Sequence, residues 1–239
     1  MSIPLNEIFG PTIQGEGSDI GKPTMFLRTF GCDFDCTWCD TRYAVDLSSG
    51  VCQQVTEKYI LDELLAARCR RVVISGGNPL LHDLSLLIGM LNEHGFEIHV
   101  ETQGSIYKDY LTKVDKINIS PKGPSAGDLI TTWNMLKEFL QELEDVPKDI
   151  KIVVFTEADY DYARSIYTKL KKELGMSFKD KNQFILQQGT DINSKAPRDQ
   201  ILRELGTFVE TVTYYDDFED DVRILPQLHT LIWNTERGY

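Results

Sequence analysis

Short β-rich apolar runs alternate with amphipathic stretches along nearly the whole chain, and that alternation restricts the fold to a parallel sheet with helical crossovers. The runs are Thr24–Thr29, Val72–Ile74, Glu97–Val100, Lys116–Ile119, Ile150–Phe155 and Phe184–Gln187. Thr56–Arg68 has helical periodicity, with Ile60, Leu61, Leu64 and Leu65 on one face and Thr56 placed to cap it. Further helices are expected at Leu84–His94, Trp133–Leu143, Ala158–Leu174 and Arg198–Leu205, with a short one at Tyr107–Leu111. That makes about six βα units, too few for a closed eight-fold barrel. An α/β fold of the partial, open TIM-barrel kind is expected, with a doubly wound sheet as the alternative. Nothing marks a linker, so residues 1–239 read as a single domain.

The unusual residues fall where these strands end. Gly31-Cys32-Asp33-Phe34-Asp35-Cys36-Thr37-Trp38-Cys39-Asp40 follows the first strand and Ser75-Gly76-Gly77-Asn78-Pro79 the second. Glu101-Thr102-Gln103-Gly104, Ser120-Pro121-Lys122 and Gln187-Gln188-Gly189 follow later ones. Parallel α/β folds build their sites at the carboxyl ends of strands, so these loops are expected to share one rim.

The cysteine loop leaves three chemistries open. An iron–sulfur cluster normally takes four thiolates, so Cys32, Cys36 and Cys39 would leave one iron free for a ligand. A zinc site needs a fourth ligand, for which Cys52 is the candidate. A Cys36/Cys39 dithiol would leave Cys32 unexplained. Cys69 reads as a mid-helix core residue. Five cysteines, three of them crowded, do not make a secreted disulfide framework, and the N-terminus lacks the basic and apolar parts of a signal peptide. A cytoplasmic location is expected. A net charge of −12 disfavours nucleic acid and anionic membranes as partners, and no apolar run reaches the ~20 residues of a membrane span. A small molecule is the expected partner.

Other polar residues admit a functional or a structural reading. Gly10–Gly17 reads as a loop in which Gln14 and Glu16 could pair with a heterocycle. Arg28, on an apolar strand, must find a partner, either a substrate carboxylate or a structural acid. The glycines of Ser75–Pro79 permit close ligand approach or only a tight turn. Gln227 and His229 sit beside an apolar C-terminal run, and Tyr215–Asp221 reads as a solvated acidic loop.

Cys32-x3-Cys36-x2-Cys39, the aromatic Trp38 and the Gly-Gly-x-Pro turn together resemble the radical S-adenosylmethionine superfamily. Gln14-Gly15-Glu16-Gly17, Arg28-Thr29-x-Gly31-Cys32, Cys39-Asp40-Thr41, Glu101-Thr102-Gln103-Gly104, Ser120-Pro121-Lys122 and Pro226-Gln227-Leu228-His229 are similar to the 7-carboxy-7-deazaguanine synthase family. A glycyl-radical activase shares the cysteine spacing but usually carries an Asp-Gly-Pro-Gly-like loop ahead of it.

The resemblance implies a radical S-adenosylmethionine core with a substrate loop at 10–17, a cluster loop at 32–39 and a C-terminal tail at 222–239. Cys32, Cys36 and Cys39 would hold a [4Fe–4S] cluster whose fourth iron takes S-adenosylmethionine. Reductive cleavage would give a 5′-deoxyadenosyl radical that removes hydrogen from C6 of 6-carboxy-5,6,7,8-tetrahydropterin. Ring contraction and loss of ammonia would then yield 7-carboxy-7-deazaguanine, a queuosine and deazapurine precursor. Trp38, Asp40, Gly77, Asn78, Glu101, Ser120, Pro121, Lys122 and Gln187 would bind S-adenosylmethionine, Asn78 standing where the superfamily usually has Glu. Ile13, Gln14, Glu16, Arg28, Ser75, Gln227, His229 and Tyr239 would hold the pterin, and Thr41 a Mg²⁺ on the substrate carboxylate. A flavodoxin- or ferredoxin-type reductant and a homodimer are the implied partners.

Overall fold

Strands that all carry a helical crossover must run in the same direction, and seven of them do. The computed structural model describes residues 2–48, 50–190, 196–215 and 217–233. Its strands are β1 (Ser2–Ile13), β2 (Pro23–Thr29), β3 (Gln53–Thr56), β4 (Arg71–Gly76), β5 (Glu97–Thr102), β6 (Lys116–Ile119), β7 (Lys148–Val154), β8 (Asn182–Gln188) and β9 (Val222–Leu225). They form one sheet in the order β3-β1-β2-β4-β5-β6-β7-β8-β9. From β2 to β9 every pairing is parallel, whereas β1 runs antiparallel to both β2 and β3. The two edges do not pair with each other, so the barrel is open. The register sets Arg28 beside Ser75, Glu101 beside Asn118, and Val153 beside Gln187.

The helices are α1 (Glu57–Ala66), α2 (Ser85–Glu93), α3 (Trp133–Gln141), α4 (Glu157–Leu174), α5 (Arg198–Tyr215) and α6 (Leu228–Trp233). Thr56 caps α1 by accepting the Tyr59 N–H, as its sequence predicts. Thr156 and Asp159 form a capping box on α4, which ends at Gly175 in the left-handed conformation (φ 59°). Asp159 also accepts the Ser125 N–H at 2.9 Å. The Ser125 hydroxyl in turn accepts the Trp38 indole N–H at 3.0 Å, so a helix cap fixes the far end of the cysteine loop. Leu27, Ile74, Val100, Ile119 and Ile152 are fully buried or nearly so in the core between sheet and helices. Burying each such side chain contributes about 1.5–3 kcal/mol.

Several elements differ from the sequence expectation. The stretch 10–13 is the end of β1, not a loop, and β3 and β9 extend the sheet. The run at Tyr107–Leu111 becomes a 3₁₀ turn at Asp109–Lys113, and α5 continues ten residues past Leu205 to Tyr215. Cys69 lies beyond the end of α1 and packs its sulfur on the carbonyls of Pro23 and Arg71. Within the acidic run, Asp217 accepts the Tyr160 hydroxyl and Asp221 the Tyr167 hydroxyl, so these carboxylates dock on α4 rather than float in solvent. No helix among the described residues is long and apolar enough to cross a membrane.

Candidate active site

The expected convergence occurs: the carboxyl ends of the parallel strands surround one cleft with about 1340 Å³ of empty space, part of it open to solvent. Cys32, Cys36 and Cys39 line it, and none is in a disulfide. Their loop is fixed at both ends. The Gly31 carbonyl accepts the Asn78 N–H at 2.8 Å, and the Gly31 N–H donates to the Ala44 carbonyl at 2.8 Å. A Cβ at Gly77 would overlap the Gly31 carbonyl, so this turn must be glycine for the two loops to meet. The Cys39 N–H donates to the Cys36 carbonyl at 3.2 Å, folding the last two cysteines into a turn. The Cys32 sulfur receives N–H groups from Phe34 (3.4 Å) and the Gln103 amide (3.3 Å). Burial pushes the Cys36 thiol up to about 11 and raises that of Cys32 as well, with Lys122 opposing in both cases. A bound cation would favour their thiolate forms.

Across the cleft stands a polar wall drawn from six segments of the chain. The Gln14 amide donates to Glu101 at 3.0 Å and its carbonyl accepts the Glu16 N–H at 3.1 Å. Glu16 is ion-paired with Lys151 and accepts amide N–H groups from Gln187 (3.2 Å) and Gln227 (2.8 Å). Burial alone would push the Glu16 carboxyl up. The Lys151 ammonium overrides it and holds the carboxyl well below the usual carboxylate range. The Leu228 N–H donates to the Gly15 carbonyl at 2.9 Å, and His229 packs so tightly on Gly15 that a Cβ there would strike its ring. Arg28 gives its Nε to Glu7 at 2.9 Å and lies over the rings of Phe9 and Tyr43. Among the described residues nothing takes its two Nη groups.

Below this wall is a second charged cluster. Lys116 reaches Asp19 at 2.9 Å and Asp149 at 3.1 Å, and Asp149 also accepts the Ser18 N–H at 2.8 Å and its hydroxyl at 3.0 Å. His99 sits between Asp19 (3.6 Å) and Glu97 (3.1 Å).

A model of the radical SAM superfamily matches residues 26–127. The 7-carboxy-7-deazaguanine synthase of Bacillus cereus is 37% identical across 99% of this chain and 98% of its own length. That of Bacillus subtilis is 38% identical across 99% and 98%. This chain belongs to the 7-carboxy-7-deazaguanine synthase family. The crystal structure of QueE from Escherichia coli has the same fold, with a TM-score of 0.67 at 25% identity over 96% of this chain and 95% of that one. As a radical SAM protein, this synthase-family member uses a [4Fe–4S] cluster and S-adenosylmethionine. The site fits that requirement: three free thiols share one loop, N–H groups face the Cys32 sulfur, and the cleft beside them is polar.

Most residues singled out by the sequence meet here. Ile13, Gln14, Glu16, Arg28, Ser75, Gln227 and His229 line the cleft on one side. Trp38, Asp40, Thr41, Gly77, Ser120 and Lys122 line it too, as do Glu101 and Gln187, which bond to Gln14 and Glu16 in the polar wall. Cys52, the candidate fourth zinc ligand, is not among the lining residues. Pro121 is buried behind the rim. Asn78 does not line the cleft. It is fully buried and spends its whole amide inside the protein, donating to Asp33 (2.8 Å) and Ser105 (3.2 Å) and accepting from Leu80 N–H (3.2 Å) and the Thr102 hydroxyl (3.1 Å). It holds the turn together and has no group left for a cofactor. Tyr239 lies outside the described residues. Sequence reading missed Lys151, Gln103 and Asn118, all of which line the cleft. Lys151 did leave a signal, a cation set between Ile150 and Ile152 in a strand-forming run.

Proposed function

We propose that this protein converts 6-carboxy-5,6,7,8-tetrahydropterin to 7-carboxy-7-deazaguanine with release of ammonia, a step toward queuosine and other deazapurines. The observation that carries this reading is the union, in one cleft, of the three-cysteine loop with a wall of amide and carboxylate groups suited to a nitrogen heterocycle. Cys32, Cys36 and Cys39 would hold the cluster. Trp38, Gly77, Glu101, Ser120 and Lys122 would embrace S-adenosylmethionine beside it. When bound, these two groups supply the carbon-centred radical that takes hydrogen from the substrate.

The chain's own residues bind and orient. Lys122 places its ammonium 5.2 Å from the Trp38 ring centroid, a cation near the site of a carboxylate-bearing cofactor. Arg28, with its Nη groups free among the described residues, would meet the substrate carboxylate, joined by a Mg²⁺ on the Thr41 hydroxyl. Gln14, Glu16 and Ser75 would position the ring. The bond from Leu228 to Gly15 ties the tail to the segment that carries Gln14 and Glu16. An electron donor of the flavodoxin or ferredoxin class and a homodimeric assembly complete the reading.

The test is anaerobic. The protein is reconstituted with iron and sulfide, reduced, and given S-adenosylmethionine, Mg²⁺ and 6-carboxytetrahydropterin, with products followed by mass spectrometry. Formation of 7-carboxy-7-deazaguanine together with 5′-deoxyadenosine is expected. Slow 5′-deoxyadenosine alone would reject the substrate, and neither product from protein with a full cluster would reject the reading. Cys36→Ala is expected to lose both the cluster absorbance and all turnover.

A further inference from the structure

Glu16 is surrounded by donors. Lys151 holds its Oε2, and the amides of Gln187 and Gln227 both donate to its Oε1. An amide turned the other way would set a carbonyl oxygen against a carboxylate oxygen, so the charge on Glu16 decides how both amides face. Their carbonyl oxygens are then fixed as acceptors. Both are buried without a hydrogen-bond partner among the described residues, and both side chains line the cleft, Gln187 being wholly buried. The Asn118 carbonyl is in the same state. Folded proteins rarely leave such acceptors empty, and three of them, buried on side chains that line one cleft, point to a ligand that brings N–H groups once those side chains turn to it.

Resting on the pterin reading above, we propose that Lys151 is the specificity-determining positioning residue of this cleft. Through Glu16 it turns the Gln187 and Gln227 carbonyls toward the ligand, and so selects the amino and ring N–H edge of a 2-amino-4-oxo heterocycle over its 2-oxo counterpart. Lys151 suits this task because β7 is buried along its whole length, and its own side chain is only 7% exposed. Ordinary solvation cannot replace its charge. Without the ammonium, burial would favour the protonated form of Glu16, which presents a donor to one amide and releases the pair to rotate. The exocyclic group is where the two ligands differ: an amino group supplies hydrogens to these acceptors, whereas a carbonyl would oppose them.

The experiment uses the reconstituted enzyme with S-adenosylmethionine and no reductant, so that binding is read without turnover. Dissociation constants are measured by calorimetry for 6-carboxytetrahydropterin and for the matching 2-oxo compound, 6-carboxytetrahydrolumazine. The native protein is expected to favour the 2-amino ligand by ~100-fold or more, since a site built around hydrogen bonds rejects a ligand that leaves them unmade. Lys151→Met is expected to cut the ratio to below ~10-fold with the cluster absorbance unchanged, because the acceptors are then no longer fixed. Glu16→Gln combined with Lys151→Met leaves no unpaired buried charge and is expected to lose the preference in a well-folded protein. A native ratio near one, a variant that keeps the native ratio, or equal loss of both ligands in both variants would overturn the inference. Failure of the native protein to bind either compound would instead reject the pterin reading itself.

Discussion

The two charged clusters of this sheet, Glu16 with Lys151 above and Asp19–Lys116–Asp149 below, are built from the same groups yet end in different states. In the lower cluster the ammonium of Lys116 is shared by two carboxylates, and Ser18 supplies the further donors that Asp149 needs. In the upper one the charges are paired but the attached amides are left with empty acceptors. Fully satisfied, a buried polar network rigidifies a fold. Partly satisfied, it is costly unless a ligand completes it. The lower cluster therefore reads as scaffold for the β5–β7 strands and the upper one as a binding surface, although they face a common small space lined by Gln14, Glu101 and Asn118.

The largest effect separates the clusters directly. Lys116→Met leaves Asp149 buried without its cation, while Asp19 keeps Lys22, and is expected to destabilise the fold by about 3–5 kcal/mol, measured by denaturant unfolding. Protein that remains folded should bind pterin with native affinity, and weakened binding there would merge the two clusters into one. Asn78→Ala should lower stability by about 1–3 kcal/mol, because it strands the partners of a buried amide. The KM for S-adenosylmethionine should stay unchanged, and a raised KM would return Asn78 to the cofactor site. Arg28→Ala is expected to weaken pterin binding ~10- to 100-fold, the value of a charge-assisted bond, with the cluster spectrum intact. Loss of the cluster would show that its pairing with Glu7 is structural.

The smallest effect is a pH dependence. Burial opposes ionisation of Asp19, but hydrogen bonds from Lys22 and Lys116 bring its carboxyl down from 3.8 to about 2. Its folded value lies below its unfolded one, so its stabilisation is complete above about pH 4 and is lost as pH falls through about 2. Asp19→Asn should flatten that part of the acid unfolding curve. An unchanged curve would assign the acid lability elsewhere.

The difference between the clusters also marks how far the sequence could be read. The cysteine loop was legible because its three ligands lie within eight residues, and chain spacing alone brings them together. Thr56 as a cap and β6 at Lys116–Ile119 were legible for the same reason, since each rests on local rules. β1 was missed in part because Pro11 and Gly10 read as loop residues, and pairing with β2 overrides that preference. For Asn78 a motif gives a position in the chain but not the direction of a side chain, which four internal hydrogen bonds set here.

The sequence by itself determined the βα alternation, the open parallel sheet and the three thiols waiting at the end of its first parallel strand. Those features depend on periodicity and short spacing, which act between neighbours. Only the tertiary structure decided which polar groups are filled and which are left open. Glu16 meets Lys151, Gln187 and Gln227 across 135, 171 and 211 residues of chain, respectively. Such meetings depend on sheet register and strand order, so their electrostatics exist only once the sheet has formed.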